Sequence, residues 1–383
     1  MKSIGFFWSN NKVVEKKCEN CPYGKSVSLE QYKDEDATFD FQINLWNSSI
    51  KNTITGKVSR FRAIDFGVVC PLSTKKLVFL FPFEVKHEDF SDLAKCLSSD
   101  SELLCTVFNE DLKTLSEPTK SFHKIDSENS DIHYLMYELS KENIEISNDY
   151  TQTNLTQLTV AITSNFDLDE SSKYRLFLRF RINLRSFDAF ATKKDVSNDW
   201  LQSAFSSTLL FDIRLNDVRE LSKKRKEFIE YQGFQMPEFS KIHFFYMADS
   251  EEVVENGSSM KLDKRLLEND RWHAYLEENF EFVSANIAHH WKKKKDYKVK
   301  GSNGESMDKS DEGKIKDFTI FFKTVFSDCR KKRVLRFLLL IVILGMISLL
   351  SITLISLIVP KLLMLLLLFL LISIVVFYIE KFT

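Results

Sequence analysis

The stretch that decides the fold is Arg175-Leu176-Phe177-Leu178-Arg179-Phe180-Arg181-Ile182-Asn183-Leu184-Arg185. Leu176, Leu178, Phe180, Ile182 and Leu184 recur at every second position, with Arg175, Arg179, Arg181 and Arg185 between them. Successive side chains of a strand point to opposite faces, so this alternation predicts a half-buried strand with its arginines on a solvated face. Working outward, similar patterns predict strands at 39–45, 76–85, 132–138, 157–163, 209–215 and 242–247, with short helices at 88–97 and 218–231. No strand–helix–strand alternation with a glycine turn appears, which disfavours a doubly wound parallel sheet. The reading is a mostly antiparallel, β-sandwich-like region in two lobes, 1–145 and 146–260.

Beyond residue 260 the pattern changes. Leu262, Leu266, Leu276, Phe280, Val283 and Ile287 follow three-and-four spacing, with His273 in the seam, which predicts a long helix over 261–291. Its stripe either packs on its own domain or pairs between copies in a homo-oligomer. A flexible basic linker is expected at 292–316, opening with Lys292, Lys293, Lys294 and Lys295. An amphipathic helix is expected at 317–328, with Phe318, Phe321, Phe322, Val325 and Phe326 on one stripe.

Residues 337–359 and 362–379 then carry no charge and flank Pro360-Lys361. Roughly 20 helical residues cross a bilayer core, so the fold class expected is α+β: the β-rich region, the long helix, and a C-terminal two-helix transmembrane hairpin over 337–379 turning at Pro360. Arg330, Lys331, Lys332, Arg333 and Arg336 precede the first span, against Lys361 at the turn. The positive-inside bias places both termini in the cytoplasm, at a bacterial inner membrane. With Lys292–Lys295, these cations are the candidate contacts to the lipid surface. Gly345, Ser348 and Ser351 recur every three residues and suggest a helix-packing face; alternatively each hydroxyl bonds its own i−4 carbonyl.

Charge excludes some functions. Residues 331–383 carry a net +5, leaving −6 for the rest of a chain whose total is −1. An acidic body is poorly suited to cover a polyanion, so no nucleic-acid partner is expected. With 10 Gly and 6 Pro there is little material for glycine-rich phosphate loops, and no Walker, G-x-S-x-G or H-E-x-x-H motif occurs. Cys18-Glu19-Asn20-Cys21 is a C-x-x-C whose thiols are candidate zinc ligands, a redox pair or plain structural thiols. A zinc site needs a second pair of ligands that the spacing does not supply; otherwise no cofactor is expected. Glu84 and Lys86 after a strand, with Asp65 upstream, form a weak carboxylate-plus-lysine set of the kind that metal-dependent hydrolases use.

The layout of 290–383, with a basic linker, a phenylalanine-rich helix and two uncharged spans behind a large domain, resembles that of two-transmembrane effectors in bacterial anti-phage defence. The resemblance is one of architecture, with no family motif matched. It implies a cytosolic domain that senses an unknown ligand or protein trigger and releases a hairpin that disturbs the membrane. Two other functions fit the same residues: a membrane-anchored adaptor, or a membrane-tethered metal-dependent hydrolase.

Overall fold

The computed structural model describes residues 3–10, 15–16, 26–27, 37–108, 112–115, 122–127, 133–149, 155–163, 174–194, 206–217, 219, 221, 233–272, 275–276, 279–294, 315–327, 331–356 and 361–382. Two compact units emerge, one made of 1–192 and 210–323 and the other of 193–209 and 324–383.

The first unit is built on sheets. A four-stranded antiparallel sheet has the order β1 (Gly5–Ser9), β6 (Lys76–Phe81), β12 (Leu155–Ala161), β11 (Ile144–Asp149). An eleven-stranded sheet runs β18 (Leu262–Leu267), β20 (Asn286–Lys294), β16 (Glu238–Asp249), β4 (Thr38–Asn52), β5 (Val58–Cys70), β13 (Tyr174–Asn183), β10 (His133–Tyr137), β9 (Phe122–Ser127), β8 (Leu112–Leu115). Two short strands flank this path: β19 (Phe280–Phe282) pairs with β4 and β7 (Phe90–Asp92) with β13. Its pairings are antiparallel except β16 with β4 and β10 with β13, which are parallel. A third sheet orders β14 (Ala191–Lys194), β15 (Ser206–Leu215), β21 (Phe318–Ser327) and β17 (Val253–Asn256), and β2 (Glu15–Lys16) pairs with β3 (Ser26–Val27).

Phenylalanine makes the core between the first two sheets. Phe6 and Phe79 of the small sheet meet Phe41, Phe66 and Phe180 of the large one, with ring centroids 5.0 Å apart for Phe6–Phe41, 5.7 Å for Phe66–Phe79 and 5.1 Å for Phe79–Phe180. All five are essentially inaccessible. Each such side chain contributes about 1.5–3 kcal/mol on burial, so this layer dominates the stability of the unit.

The opposite face of the large sheet is covered too, which corrects the reading of the arginine strand. Leu176, Leu178, Phe180 and Ile182 turn into the phenylalanine layer as the alternation requires. Arg179 and Arg181, however, are 1% and 5% exposed rather than solvated. The cover is a second apolar cluster. Helices α1 (Ala94–Ser99) and α2 (Ser101–Phe108) supply Leu97, Leu103 and Leu104, while α3 (Asn269–Trp272) and the residues after it supply Trp272 and Tyr275. Alternation reports that two faces differ; it cannot report what distant segment covers the polar one.

The expected fold class fails at the C-terminal side on three counts. First, 261–291 is not one long helix but β18, α3, β19 and β20. A spacing of four is twice the strand period of 2 and lies close to the helical period of 3.6, so Leu262/Leu266 and Leu276/Phe280 fit a strand as well as a helix. The nine-residue antiparallel ladder that β16 offers to β20 decides the matter. Second, 317–328 contains strand β21 and no amphipathic helix. Phe318, Ile320 and Phe322 are buried while Phe321 is 40% exposed, an alternation of period two.

Third, the transmembrane hairpin is withdrawn. In the second unit, helices do form on either side of the proline, α4 (Lys331–Ser356) and α5 (Lys361–Phe382). Yet among the described residues no helix is long and apolar enough to cross a membrane. The membrane-spanning topology and the inner-membrane placement rested on those spans and are corrected with them. Many apolar side chains of α4 and α5, Leu338, Leu349, Leu365 and Phe369 among them, are exposed.

Candidate functional site

The large sheet lays out a graded surface where β16, β20 and β4 meet. Antiparallel pairing sets Lys241 opposite Lys294, His243 opposite Lys292, Phe245 opposite His290 and Met247 opposite Ala288. Parallel pairing on the other edge of β16 adds Asp40, Gln42, Asn44 and Trp46 to the same four rows. Residues two apart share a face, so one face passes in order from ammonium to imidazole to aromatic to aliphatic. This face floors a cavity of about 420 Å³ that is walled by Phe108 and Tyr134 on one side and by Asp263, Lys264 and Arg265 of β18 on the other, with Trp272 at its apolar end.

Its electrostatics are unbalanced. Lys241, Lys264, Arg265, Lys292 and Lys294 line the cavity against two carboxylates, Asp40 and Asp263. Those two are already engaged. Asp40 lies 3.5 Å from Arg175 Nη1 and 3.6 Å from Lys241 Nζ and accepts the Ser240 hydroxyl; Asp263 pairs with Lys261 at 2.7 Å. Among the described residues neither Lys292 nor Lys294 has a carboxylate within ion-pair distance. Partial burial, then a hydrogen bond to Lys294 and repulsion from Lys294 and Lys241, pulls the Lys292 ammonium down to about 8.

The imidazoles are neutral at pH 7. Burial first, then His290 and the lysines, pushes His243 down to about 3; burial and Lys292 push His290 down to about 4. His243 Nδ1 and His290 Nε2 sit 3.1 Å apart, so one donates and the other accepts. Their rings stack at 5.1 Å, and Phe245 stacks on His290 at 4.2 Å and 5°. Two neutral imidazoles at that separation also suit a metal ion. The surrounding ammonium groups repel a cation, however, and among the described residues no cluster of three or more His, Cys, Asp or Glu is placed to hold one.

Beneath the groove, Arg179 Nη1 donates to Gln42 Oε1 at 2.9 Å and Arg179 Nε to the Tyr275 hydroxyl at 2.7 Å. Gly67, between them on β5, makes room for this. A Cβ there would stand 3.0 Å from Arg179 Nη1 and 3.3 Å from the Gln42 Cβ. Gly67→Ala should therefore displace a buried guanidinium and cost about 1–3 kcal/mol, read as a lower urea midpoint at unchanged slope. An unchanged midpoint would mean that Arg179 is held by something other than this close approach.

Several residues singled out in the sequence fall elsewhere. Lys292 and Lys294 are on β20 and face the groove, while Lys293 turns to the other side and donates to the Asp317 carbonyl at 3.0 Å; three of the four lysines thus end a strand rather than begin a linker. Asp65 is fully buried and bonded to Arg181 and Trp46, and Lys86 lies exposed 3.9 Å from Glu88, so no carboxylate-plus-lysine site assembles. Ser348 donates to the Leu344 carbonyl at 3.0 Å, the self-bonding arrangement, and a Cβ on Gly345 would meet nothing within 4 Å. Lys331, Lys332, Arg333, Arg336 and Ser351 are helical in backbone. Cys18, Cys21, Lys295, Arg330 and Pro360 lie outside the described residues, and Cys70, Cys96 and Cys105 are free thiols.

The chain matches no protein-family model and no curated protein sequence. These comparisons therefore bear neither way on the resemblance to defence effectors. His243, Phe245 and His290 were missed from sequence, although a signal for them exists. Lys241-x-His243-x-Phe245-x-Met247 and Ala288-x-His290-x-Lys292-x-Lys294 are near mirror images, as two antiparallel strands sharing one graded face would be.

Proposed function

We propose that the chain is a non-catalytic recognition module whose β-rich body binds a small anion in the groove between β16, β20 and β4. One observation carries the reading: Lys241, Lys292 and Lys294 converge on one concave face that holds more cations than carboxylates. Crowded ammonium groups are costly alone and become favourable when an anion neutralises them. This retains the ligand-sensing and adaptor elements of the sequence reading and dispenses with the membrane. It also favours recognition over hydrolysis, because the neutral imidazoles bond each other and Asp65 is bonded to Arg181 and Trp46.

Inorganic tripolyphosphate is the direct probe. Calorimetric titration at low salt should show saturable binding. Replacing both lysines, Lys292→Gln with Lys294→Gln, should weaken it by at least about tenfold, since each charge-assisted hydrogen bond is worth ~1.5–3 kcal/mol. Affinity should also fall as pH rises past about 8, where Lys292 loses its proton. Equal affinity in the wild type and the double variant would remove the groove as the site.

A further inference from the structure

The three lysines of the proposed anion site occupy one end of the groove, and a further cation stands at the other. In the antiparallel ladder of β18 with β20, Arg265 is opposite Ala288, so it shares the row of Met247 and the groove face. It borders the same cavity as Lys292 and Lys294. From the Lys292 row to the Arg265 row is four residues of strand, about 14 Å at 3.4 Å per residue. Arg265 lies 3.4 Å from Glu268, in a pair whose side chains are both close to half exposed. Such a rim pair is worth little in water, and a guanidinium carries five donors, so Glu268 does not exhaust it.

Between the two cationic ends the face changes character. The intermediate row holds Asn44, Phe245 and the neutral His290, and the β18 residue opposite His290 is Asp263. Lys261, 2.7 Å away, holds the Asp263 carboxyl below its usual range, so this carboxylate stays ionised. A continuous polyanion laid along the groove would pass Asp263 and set charge over the Phe245 ring, and both are costly. A ligand whose charge is divided between its ends meets neither cost. The cavity volume of about 420 Å³ is within the usual range for sites that enclose a small organic molecule.

We infer, resting on the anion-binding reading above, that the ligand is a small molecule with two anionic groups at opposite ends of an uncharged chain. One group lies among Lys241, Lys292 and Lys294, the chain crosses the row of Phe245 and His290, and the second group reaches Arg265. Two binding points joined by one chain select for its length, because affinity is greatest where the chain matches the span. Arg265 is therefore the length-determining residue of the groove. A guanidinium suits that part, since it can grip a carboxylate or a phosphate with two parallel N–H groups.

Calorimetric titration of the full chain tests this with three kinds of probe: inorganic tripolyphosphate, alkane-α,ω-bisphosphonates graded from butane to dodecane, and the alkyl monophosphonate of matching length for each. Affinity should pass through a maximum at an intermediate length, where the bisphosphonate binds about tenfold or more tighter than its monophosphonate. Arg265→Gln, first shown to unfold at a midpoint near that of wild type, should erase the maximum and leave tripolyphosphate unchanged. Arg265→Lys keeps the charge and should restore part of the maximum. Lys292→Gln should weaken tripolyphosphate and every bisphosphonate alike. Bisphosphonates that bind no tighter than their monophosphonates, or a maximum that survives Arg265→Gln, would overturn the two-ended ligand while saturable tripolyphosphate binding keeps the anion site. If neither tripolyphosphate nor any bisphosphonate binds, both fall. Should Arg265→Gln fail to fold, the wild-type length series decides alone.

Discussion

Asp65→Ala lowers the unfolding free energy by about 3–5 kcal/mol, the largest loss expected from any single polar substitution in this chain. Asp65 is wholly inaccessible. Its Oδ1 accepts Arg181 Nε at 2.7 Å, and its Oδ2 accepts Arg181 Nη2 at 3.2 Å and Trp46 Nε1 at 2.6 Å. The Arg181 guanidinium donates onward to the Tyr275 carbonyl at 2.9 Å and lies 4.7 Å from the Tyr275 ring and 5.0 Å from that of Phe61. Removing the carboxylate leaves a buried cation with aromatic faces but no counter-charge, and leaves the indole without an acceptor. Denaturation in urea measures the loss. The double variant Asp65→Leu with Arg181→Met should recover most of it, because it removes both charges and fills the space. A loss under 1 kcal/mol in the single variant would show that water reaches Arg181 and that the pair is not sealed.

The same pair marks where the sequence was legible and where it was not. Periodicity located the strand, because Leu176, Leu178, Phe180 and Ile182 must all face one way whatever else folds. It gave Arg179 and Arg181 to solvent, because their cover arrives from Leu97 and Leu104 some eighty residues earlier and from Trp272 and Tyr275 some ninety later. Asp65 looked available for metal chemistry for the same reason: its partner Arg181 is 116 residues away. The groove was half legible. Lys292 and Lys294 stood out as charge, yet contiguous lysines read as linker, and only the ladder to β16 splits them into two faces. At the C-terminus the proline and the two uncharged runs pointed to paired helices, and helices form there. Crossing a bilayer asks more of them than helicity, and among the described residues no helix is long and apolar enough to do it.

The second large effect is loss of stability in mild acid, centred on His289. This imidazole is 2% exposed, and among the described residues neither ring nitrogen has a hydrogen-bond partner. The Tyr246 and Trp291 rings lie 6.3 and 6.5 Å away. Burial, with the Lys264 ammonium adding to it, pushes its pKa from 6.5 down to about 4. A group whose pKa is depressed on folding takes up fewer protons in the folded state. Its contribution is therefore full above about 6.5 and lost as pH falls toward 4, by about 3 kcal/mol. His243 and His290 act in the same direction, but they are partly exposed in the groove and solvent screening reduces what each adds. Asp92 opposes them. Burial chiefly, with some repulsion from Glu138, raises its carboxyl to about 7, so protonating it between pH 7 and 4 returns some stability. Three histidines against one carboxyl leave a net decline, and urea midpoints should drop steeply from pH 6.5 to 4.5. His289→Leu removes the titrating group and an unmatched buried polar group together. It should raise stability modestly at pH 8 and by about 2–3 kcal/mol more at pH 4.5, flattening the profile from the acid side. Parallel profiles for wild type and His289→Leu would mean that His289 is hydrated in solution and that the acid sensitivity, if any, belongs to the groove.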